Sequence, residues 1–192
     1  MTRLTLAFAA LLISANVIAQ PGSPKTLQPQ TYQTADVDGT GNLRIVTLDG
    51  KTITLKPDGE LRQFGKQTTF EKVAISPDRH AVGALENYKT VGVSYDVSHR
   101  LLIYINGRIH RFVGVSLPGE GIPILSWHFV DGHRRVAFGQ SLLHGVCEED
   151  WELWDIDPGR FVAGASKKGS CRDGDEESEV PRWVQGAISG LK

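Results

Sequence analysis

The sequence has little of three things: excess charge of one sign, long apolar runs and cysteine. Its 192 residues include 21 basic and 22 acidic side chains, a formal net charge of −1. That balance provides no overall field for gathering nucleic acid or anionic lipid, so we expect neither as a partner. The 40% apolar and 22% charged content is typical of a folded domain, and the length suffices for one substantial core.

The longest largely apolar run is short and lies at the N-terminus. Residues 4–13 follow the single charge of Arg3 and as a helix would cross about half of a ~30 Å hydrocarbon core. A membrane-spanning anchor is therefore not expected. The run leads to Val17-Ile18-Ala19, whose first and last residues suit the −3 and −1 positions of a signal-peptidase site. We predict a signal peptide over residues 1–19 and an exported protein, periplasmic or secreted; a buried N-terminal helix is the alternative.

Only two cysteines are present, Cys147 and Cys171. Disulfides persist in exported proteins, and this pair would close a loop of about 25 residues, worth roughly 3.5 kcal/mol in the chain-entropy model. The alternative is a thiol nucleophile or a metal ligand, since His144 stands three residues before Cys147. A zinc site needs four convergent ligands and this pair supplies two, so we predict the disulfide.

Turn dipeptides divide the chain into short β-branched and aromatic runs, and helical periodicity is nearly absent. Asp49-Gly50, Asn106-Gly107 and Asp131-Gly132 each separate two such runs. These dipeptides tolerate positive φ at both central positions of a type I′ turn, which predicts β-hairpins. The fold predicted from this pattern is all-β and antiparallel.

Composition also predicts how the chain is organised. Residues 20–34 are rich in proline and glutamine and contain few apolar side chains, which indicates a linker. Residues 35–192 are predicted to form a single β-rich domain. Pro181 suits the first position of a helix, and apolar residues follow it at helical spacing, so a short C-terminal helix is expected.

The turns recur with a period near 53 residues. Pro77 and Asp131 are 54 residues apart, and Asn106 and Pro158 are 52 apart. Each period then holds two hairpins, or four strands, as does one blade of a β-propeller. Residues 35–165 contain about two and a half periods, whereas propellers typically need at least four blades to close. We therefore predict two to three four-stranded, blade-like sheets that do not form a closed propeller.

Three segments around these turns have similar patterns. Residues 70–79 (FEKVAISPDR) end in a Ser-Pro-Asp turn, residues 127–138 (WHFVDGHRRVAF) repeat its outline, and residues 152–160 (ELWDIDPGR) surround a Pro-Gly turn. They resemble the blades of WD-repeat and TolB-type β-propellers over about residues 70–165, roughly half of the chain. Arg79 stands where that family usually has glycine. The resemblance implies rigid blades that serve as platforms for protein–protein interaction.

Asp36, Asp38 and Asn42 are the candidate metal ligands. Alternating carboxylates around glycines can bring oxygen atoms together on calcium, a hard cation that takes six to eight oxygen ligands. The segment DVDGTGNL resembles the calcium loop of FG-GAP type repeats, with Thr40 in place of a further acid. The alternative is an Asx- and glycine-rich turn that leads into the first strand. Calcium is the one cofactor that the sequence leaves open.

Four polar residues near the first cysteine are candidates for a partner-binding loop: His144, Glu148, Glu149 and Asp150. The alternative is a solvated acidic loop. Ser141, three residues before His144, offers a hydroxyl for hydrolysis, but its surroundings lack the closing glycine and the strand–turn–helix context of a nucleophile elbow.

No group of residues in the sequence meets the geometric requirements of catalysis. We therefore expect a non-enzymatic exported module that binds a protein partner, with self-association left open. The alternative is an exported protein that binds calcium or a small ligand, and the third hypothesis is a hydrolase.

Overall fold

A computed structural model shows an all-β protein of three antiparallel sheets, none of which closes on itself. It describes residues 29–59, 61–62, 64–89, 94–115, 122–141 and 148–168, together with the isolated residues 182 and 186. The all-β, antiparallel, unclosed architecture predicted from the sequence is confirmed. Twelve strands make up the sheets: β1 Tyr32–Val37, β2 Leu43–Thr47, β3 Thr52–Leu55, β4 Leu61–Arg62, β5 Gly65–Ile75, β6 Val82–Lys89, β7 Asp96–Ile105, β8 Arg108–Phe112, β9 Ile124–Val130, β10 Arg135–Ser141, β11 Glu148–Asp155 and β12 Arg160–Lys168.

Each sheet is a meander, because every strand pairs with its neighbour in the sequence. The first sheet is β1-β2-β3, the middle sheet is β4-β5-β6-β7-β8, and the third sheet is β9-β10-β11-β12. The predicted four-stranded unit occurs as β5–β8 and again as β9–β12. The first sheet has three strands instead of four, and the two-residue strand β4 adds a fifth to the middle sheet.

The turns that indicated the repeat occupy equivalent places in the two four-stranded units. Pro77 follows the first strand of the middle unit, and Asp131 follows the first strand of the third sheet. Asn106 and Pro158 likewise follow the third strand of each unit. The period near 53 residues is therefore the length of one four-stranded meander.

Only one of the three predicted type I′ hairpins has a two-residue loop among the described strands. Asn106 and Gly107 connect β7 directly to β8 with φ of 47° and 81°. The loops at Asp49-Gly50 and Asp131-Gly132 each have four residues between strands. In the first of these, the Gly50 N–H donates to the Thr47 carbonyl oxygen (3.0 Å), and the Thr47 N–H donates to the carbonyl of Lys51, which widens the turn.

The middle sheet is buried on both faces. Side chains along β7 alternate, so Leu101 and Ile103 face the third sheet while Leu102 and Tyr104 face the first. The core between the middle and third sheets comprises Ala81, Leu85, Leu101, Ile103, Ile105, Phe112, Ile124, Trp127, Phe129, Val136, Phe138 and Ile156. The core between the first and middle sheets comprises Tyr32, Leu43, Ile45, Phe70, Val82, Ala84, Leu102 and Tyr104.

The opposite face of the third sheet has a smaller apolar cluster. Val130, Ala137, Trp151 and Leu153 are buried there, with Ala163 packed against them. Along β11, Trp151 and Leu153 therefore lie on this face, while Asp150, Glu152 and Trp154 lie on the face toward the middle sheet.

The chain before Ala35 is part of the fold from residue 29 onward. Strand β1 begins at Tyr32, whose side chain is fully buried against Tyr104 at a centroid distance of 5.9 Å. Burial raises the pKa of the Tyr32 hydroxyl to about 12. The Gln30 N–H donates to Asn106 Oδ1 (2.7 Å), and Arg79 Nε donates to the Tyr32 carbonyl oxygen (2.9 Å). The last residues of the predicted linker thus join the first sheet to the turns of the middle sheet.

Several predictions lie outside the described residues. They are the signal peptide over residues 1–19, the disulfide between Cys147 and Cys171, and nearly all of the C-terminal helix. Within the described part of the chain, no helix has the length and apolarity needed to cross a membrane.

Gly83 on β6 allows Trp127 to pack between the middle and third sheets. A Cβ atom at position 83 would overlap the Trp127 ring and lie 2.8 Å from Ile103 Cδ1. We expect Gly83→Ala to destabilise the protein by about 1–3 kcal/mol, since overpacking a close-packed core forces side chains off their rotamers. Urea denaturation measures this change. Gly39→Ala is the matched control, because a Cβ there would meet no atom within 4 Å; equal stability of the two variants would contradict the packing described.

Candidate functional site

The predicted calcium segment forms a hydrogen-bonded turn between β1 and β2. Asp38 Oδ1 accepts hydrogen bonds from the Thr40 N–H (2.8 Å), the Thr40 hydroxyl (2.7 Å) and the Asn42 N–H (3.0 Å). Its Oδ2 atom accepts one from Asn42 Nδ2 (3.1 Å). The hydroxyl of Thr40 and the amide of Asn42, followed by their backbone N–H groups, hold the pKa of Asp38 well below its usual range. These contacts are those of an Asx turn.

The hydrogen bonds of Asp38 affect whether this turn can bind calcium. Asp38 directs both carboxylate oxygens to donors of its own turn, and Asp36 lies on β1 opposite Arg44 of β2. Within the described ranges, no group of three or more histidine, cysteine, aspartate or glutamate side chains is arranged to hold a metal ion. Calcium binding by Asp36, Asp38 and Asn42 stays a prediction.

The candidate partner-binding loop is only partly described. His144 lies outside the described residues, and Glu148 and Glu149 are placed as backbone positions at the start of β11. Asp150 is a strand residue with 2% of its surface exposed. Its side chain therefore points into the protein instead of toward a partner. Ser141, the hydrolase candidate, ends β10 and pairs with Glu149.

Asp150 belongs to a buried polar group at one end of the third sheet. It is the cross-strand partner of Gln140, and both side chains are 2% exposed. Two residues further along β11, Glu152 is fully buried and accepts hydrogen bonds from the Val115 N–H (2.6 Å) and from Trp154 Nε1 (2.8 Å). The chain after β8, at Val115, thus packs against the face of the third sheet that lies toward the middle sheet.

A second polar group joins the middle and third sheets at their turns. His133 donates through its backbone N–H to Asp78 Oδ2 (3.0 Å), and its Nδ1 atom lies 2.6 Å from the same oxygen. Ser76 Oγ donates to Asp78 Oδ1 (2.7 Å), and the His80 and His133 rings are 5.5 Å apart. Ser76 is buried and directs its hydroxyl to the carboxylate, not to an imidazole, so the group lacks the serine–histidine contact of a nucleophilic triad.

Partial burial would raise the pKa of Asp78, but the hydrogen bonds from His133, Ser76 and the His80 N–H outweigh it. Together they lower the pKa to about 2. The ionised carboxylate is therefore the form that connects the two sheets.

A third polar group lies on β6 and its neighbours, on the face toward the first sheet. Glu86 is fully buried, with Arg100 Nε 2.9 Å from its Oε2 atom and Arg111 Nε 2.8 Å from its Oε1 atom. The Tyr88 hydroxyl donates to Glu86 Oε2 (2.7 Å), and the Arg100 guanidinium stacks 5.0 Å from the Tyr88 ring centroid. Burial, followed by the nearby Glu86 charge, raises the pKa of Tyr88. Two cations thus satisfy one buried carboxylate.

Five of the eight exposed large apolar side chains in the described part of the chain lie on or next to β8 and β12. Ile109 of β8, Val113 and Val115 after it, and Phe161 and Val162 of β12 are between 39% and 58% exposed. We call these five residues the β8/β12 edge. Both strands are the last of their sheets and have a described partner on one side only.

Cross-sheet contacts place β8 next to β12. The Trp154 ring lies 5.7 Å from that of Phe112, at the end of β8, and 5.8 Å from that of Phe161. His110 Nε2 on β8 is 3.9 Å from Asp157 Oδ1 in the turn before β12. The edge strands of the middle and third sheets are therefore neighbours.

The sequence does not indicate this edge. Phe161 and Val162 follow the Pro-Gly turn as ordinary strand residues, and no local pattern indicates that they are exposed. The position of β8 and β12 as the last strands of their repeats would have indicated it, because the last strand of a sheet has one unpaired edge.

Comparison of the chain with protein-family models and with curated proteins finds no match. The resemblance to WD-repeat and TolB-type propellers therefore stays a prediction.

Asp78 should make stability depend on pH in the acidic range. A carboxyl whose pKa falls from 3.8 to about 2 on folding stabilises the protein above about pH 4 and loses that effect as the pH falls toward 2. We expect Asp78→Asn to lower the urea midpoint at pH 7 and to lose less stability than the wild type between pH 5 and pH 2.5.

The control is Asp157→Asn, which removes one carboxylate whose side chain is 84% exposed. Its urea midpoints should follow those of the wild type across the same pH range. Parallel pH profiles for Asp78→Asn and the wild type would show that the Asp78–His133 contact does not contribute to folding.

Proposed function

We propose that the chain is an exported, non-enzymatic module that binds a protein partner at the β8/β12 edge. The observation that carries this proposal is the exposure of five large apolar side chains on, or directly after, two neighbouring edge strands. Single exposed apolar residues are ordinary on protein surfaces, whereas several of them along neighbouring edge strands offer a surface on which another strand can pack.

The backbone of the edge strands supports the same proposal. An edge strand presents N–H and C=O groups that can pair with an added strand, and exposed side chains on alternate positions then provide specificity. β8 pairs with β7, and β12 pairs with β11. A partner with an extended apolar segment could therefore add to either strand and cover Val113, Phe161 or Val162.

The polar groups described above favour binding over catalysis. Asp78 and His133 connect two sheets, and Glu86 is held by two arginines within one sheet. These contacts occupy the side chains that acid–base chemistry would need. The layered sheets also agree with the blade-like platforms implied by the propeller resemblance, and the signal peptide predicted from the sequence favours an exported location.

The β8/β12 edge can be tested by charge substitution. We expect Val115→Lys and Val162→Lys to abolish retention of a partner from the cell envelope of the source organism, because a lysine would place charge at the centre of an apolar contact. Leu48→Lys is the matched control, since Leu48 and Val115 are both 58% exposed and Leu48 lies in the hairpin of the first sheet. Affinity capture with mass spectrometry measures retention.

A photo-crosslinking residue at position 162 provides a second measurement. It should join the chain to the protein that the wild type and Leu48→Lys retain. If all three variants retain the same proteins, or if position 162 crosslinks to none of them, the edge is not the binding site.

A further inference from the structure

We infer that Asp150 and Gln140 form a binding site for a hard cation between the middle and third sheets. Their inward-facing oxygens are Asp150 Oδ1 and Gln140 Oε1. Both atoms are buried, and within the described part of the chain neither has a hydrogen-bond partner. The site is separate from the turn at Asp38, and it lies next to the β8/β12 edge through Gly114 and Val115.

The two oxygens lie on the same face of one sheet. Asp150 and Gln140 are directly opposite each other on β11 and β10, and side chains of such pairs are adjacent. The Gln140 amide also contacts the backbone of Gly114, where an added Cβ atom would overlap it. Gln140 Nε2 donates to the Ile122 carbonyl oxygen (3.4 Å), which leaves Oε1 as the free end of the amide. The side chain is therefore fixed with its oxygen unpaired.

The chemistry of the two atoms defines what they can bind. A carboxylate oxygen and an amide oxygen are both acceptors, so they cannot satisfy each other while Asp150 is ionised. Leaving a buried acceptor without a donor destabilises the folded protein. A ligand here must provide positive charge or hydrogen-bond donors, and oxygen atoms are the ligands that calcium and magnesium prefer.

Glu152 adds negative charge to the same face. It lies two residues from Asp150, and its own oxygens accept hydrogen bonds from Val115 and Trp154. It would thus act as a nearby charge, while Asp150 and Gln140 would contact the ion directly. With so few charged ligands, we expect millimolar affinity, as in extracellular calcium modules.

Thermal denaturation of the purified protein provides the first test. After removal of metals with EDTA, 10 mM calcium chloride should raise the Tm by roughly 3–6 °C if the Kd is near 1 mM. Magnesium chloride is the second probe, and sodium chloride of matched ionic strength controls for screening. No increase, or an equal increase with sodium chloride, would overturn the inference and leave an ordered water as the partner of both oxygens.

Substitutions then locate the site. Asp150→Asn removes the charge and supplies an amide that can donate to Gln140 Oε1, so the variant should be at least as stable as the wild type in EDTA and lose its response to calcium. Gln140→Glu adds a carboxylate and should enlarge the response. Asp38→Asn is the control for the turn between β1 and β2 and should keep the full response.

Terbium luminescence separates binding from stability. The Trp154 indole, next to Glu152, should sensitise terbium bound at this site, and calcium should displace that signal. Loss of the signal in Asp150→Asn but not in Asp38→Asn would support the inference. A signal kept by Asp150→Asn and lost in Asp38→Asn would assign the cation to the turn and overturn it.

Discussion

The middle sheet is covered on both faces, and most of the structure follows from that burial. β6 and β7 are buried almost without interruption, so their side chains must be apolar in both directions or fully paired. Antiparallel sheets in many proteins leave one face to water, which produces alternating sequences. In this protein the alternation of buried and exposed residues is absent from β6 and β7 and present in outer strands such as β3.

The polar residues of the buried sheet show how strict this requirement is. Glu86 stands in the middle of β6 and is satisfied by Arg100, Arg111 and Tyr88 from three strands. Removing one partner of such a group would leave an uncompensated buried charge, which usually costs several kcal/mol. Asp150 Oδ1 and Gln140 Oε1 are among the few buried side-chain atoms of the described residues that have no hydrogen-bond partner, and they are two acceptors on directly paired strand positions.

Much of the fold could be predicted from the sequence because its turns are local signals. The spacing of Pro77, Asn106, Asp131 and Pro158 predicted the two four-stranded units, and each turn lies where the period placed it. The candidate sites were less predictable. Whether Asp150 is exposed depends on which way β11 faces once it pairs with β10, and that register is a tertiary property. The Asp38 turn shows the opposite case, since its hydrogen bonds involve neighbours within four residues.

The meander order has a consequence for how the protein forms. Each strand pairs with its neighbour in the chain, so the sheets can assemble by closing short loops, which costs little entropy. The hydrogen bonds between sheets connect residues that are distant in the sequence: Gln30 and Asn106 are 76 positions apart, and Asp78 and His133 are 55 apart. We expect these hydrogen bonds between sheets to form last during folding. Each meander would then form its own strand pairs during synthesis. The apolar face that it turns toward the next meander would stay exposed to solvent until that meander has formed.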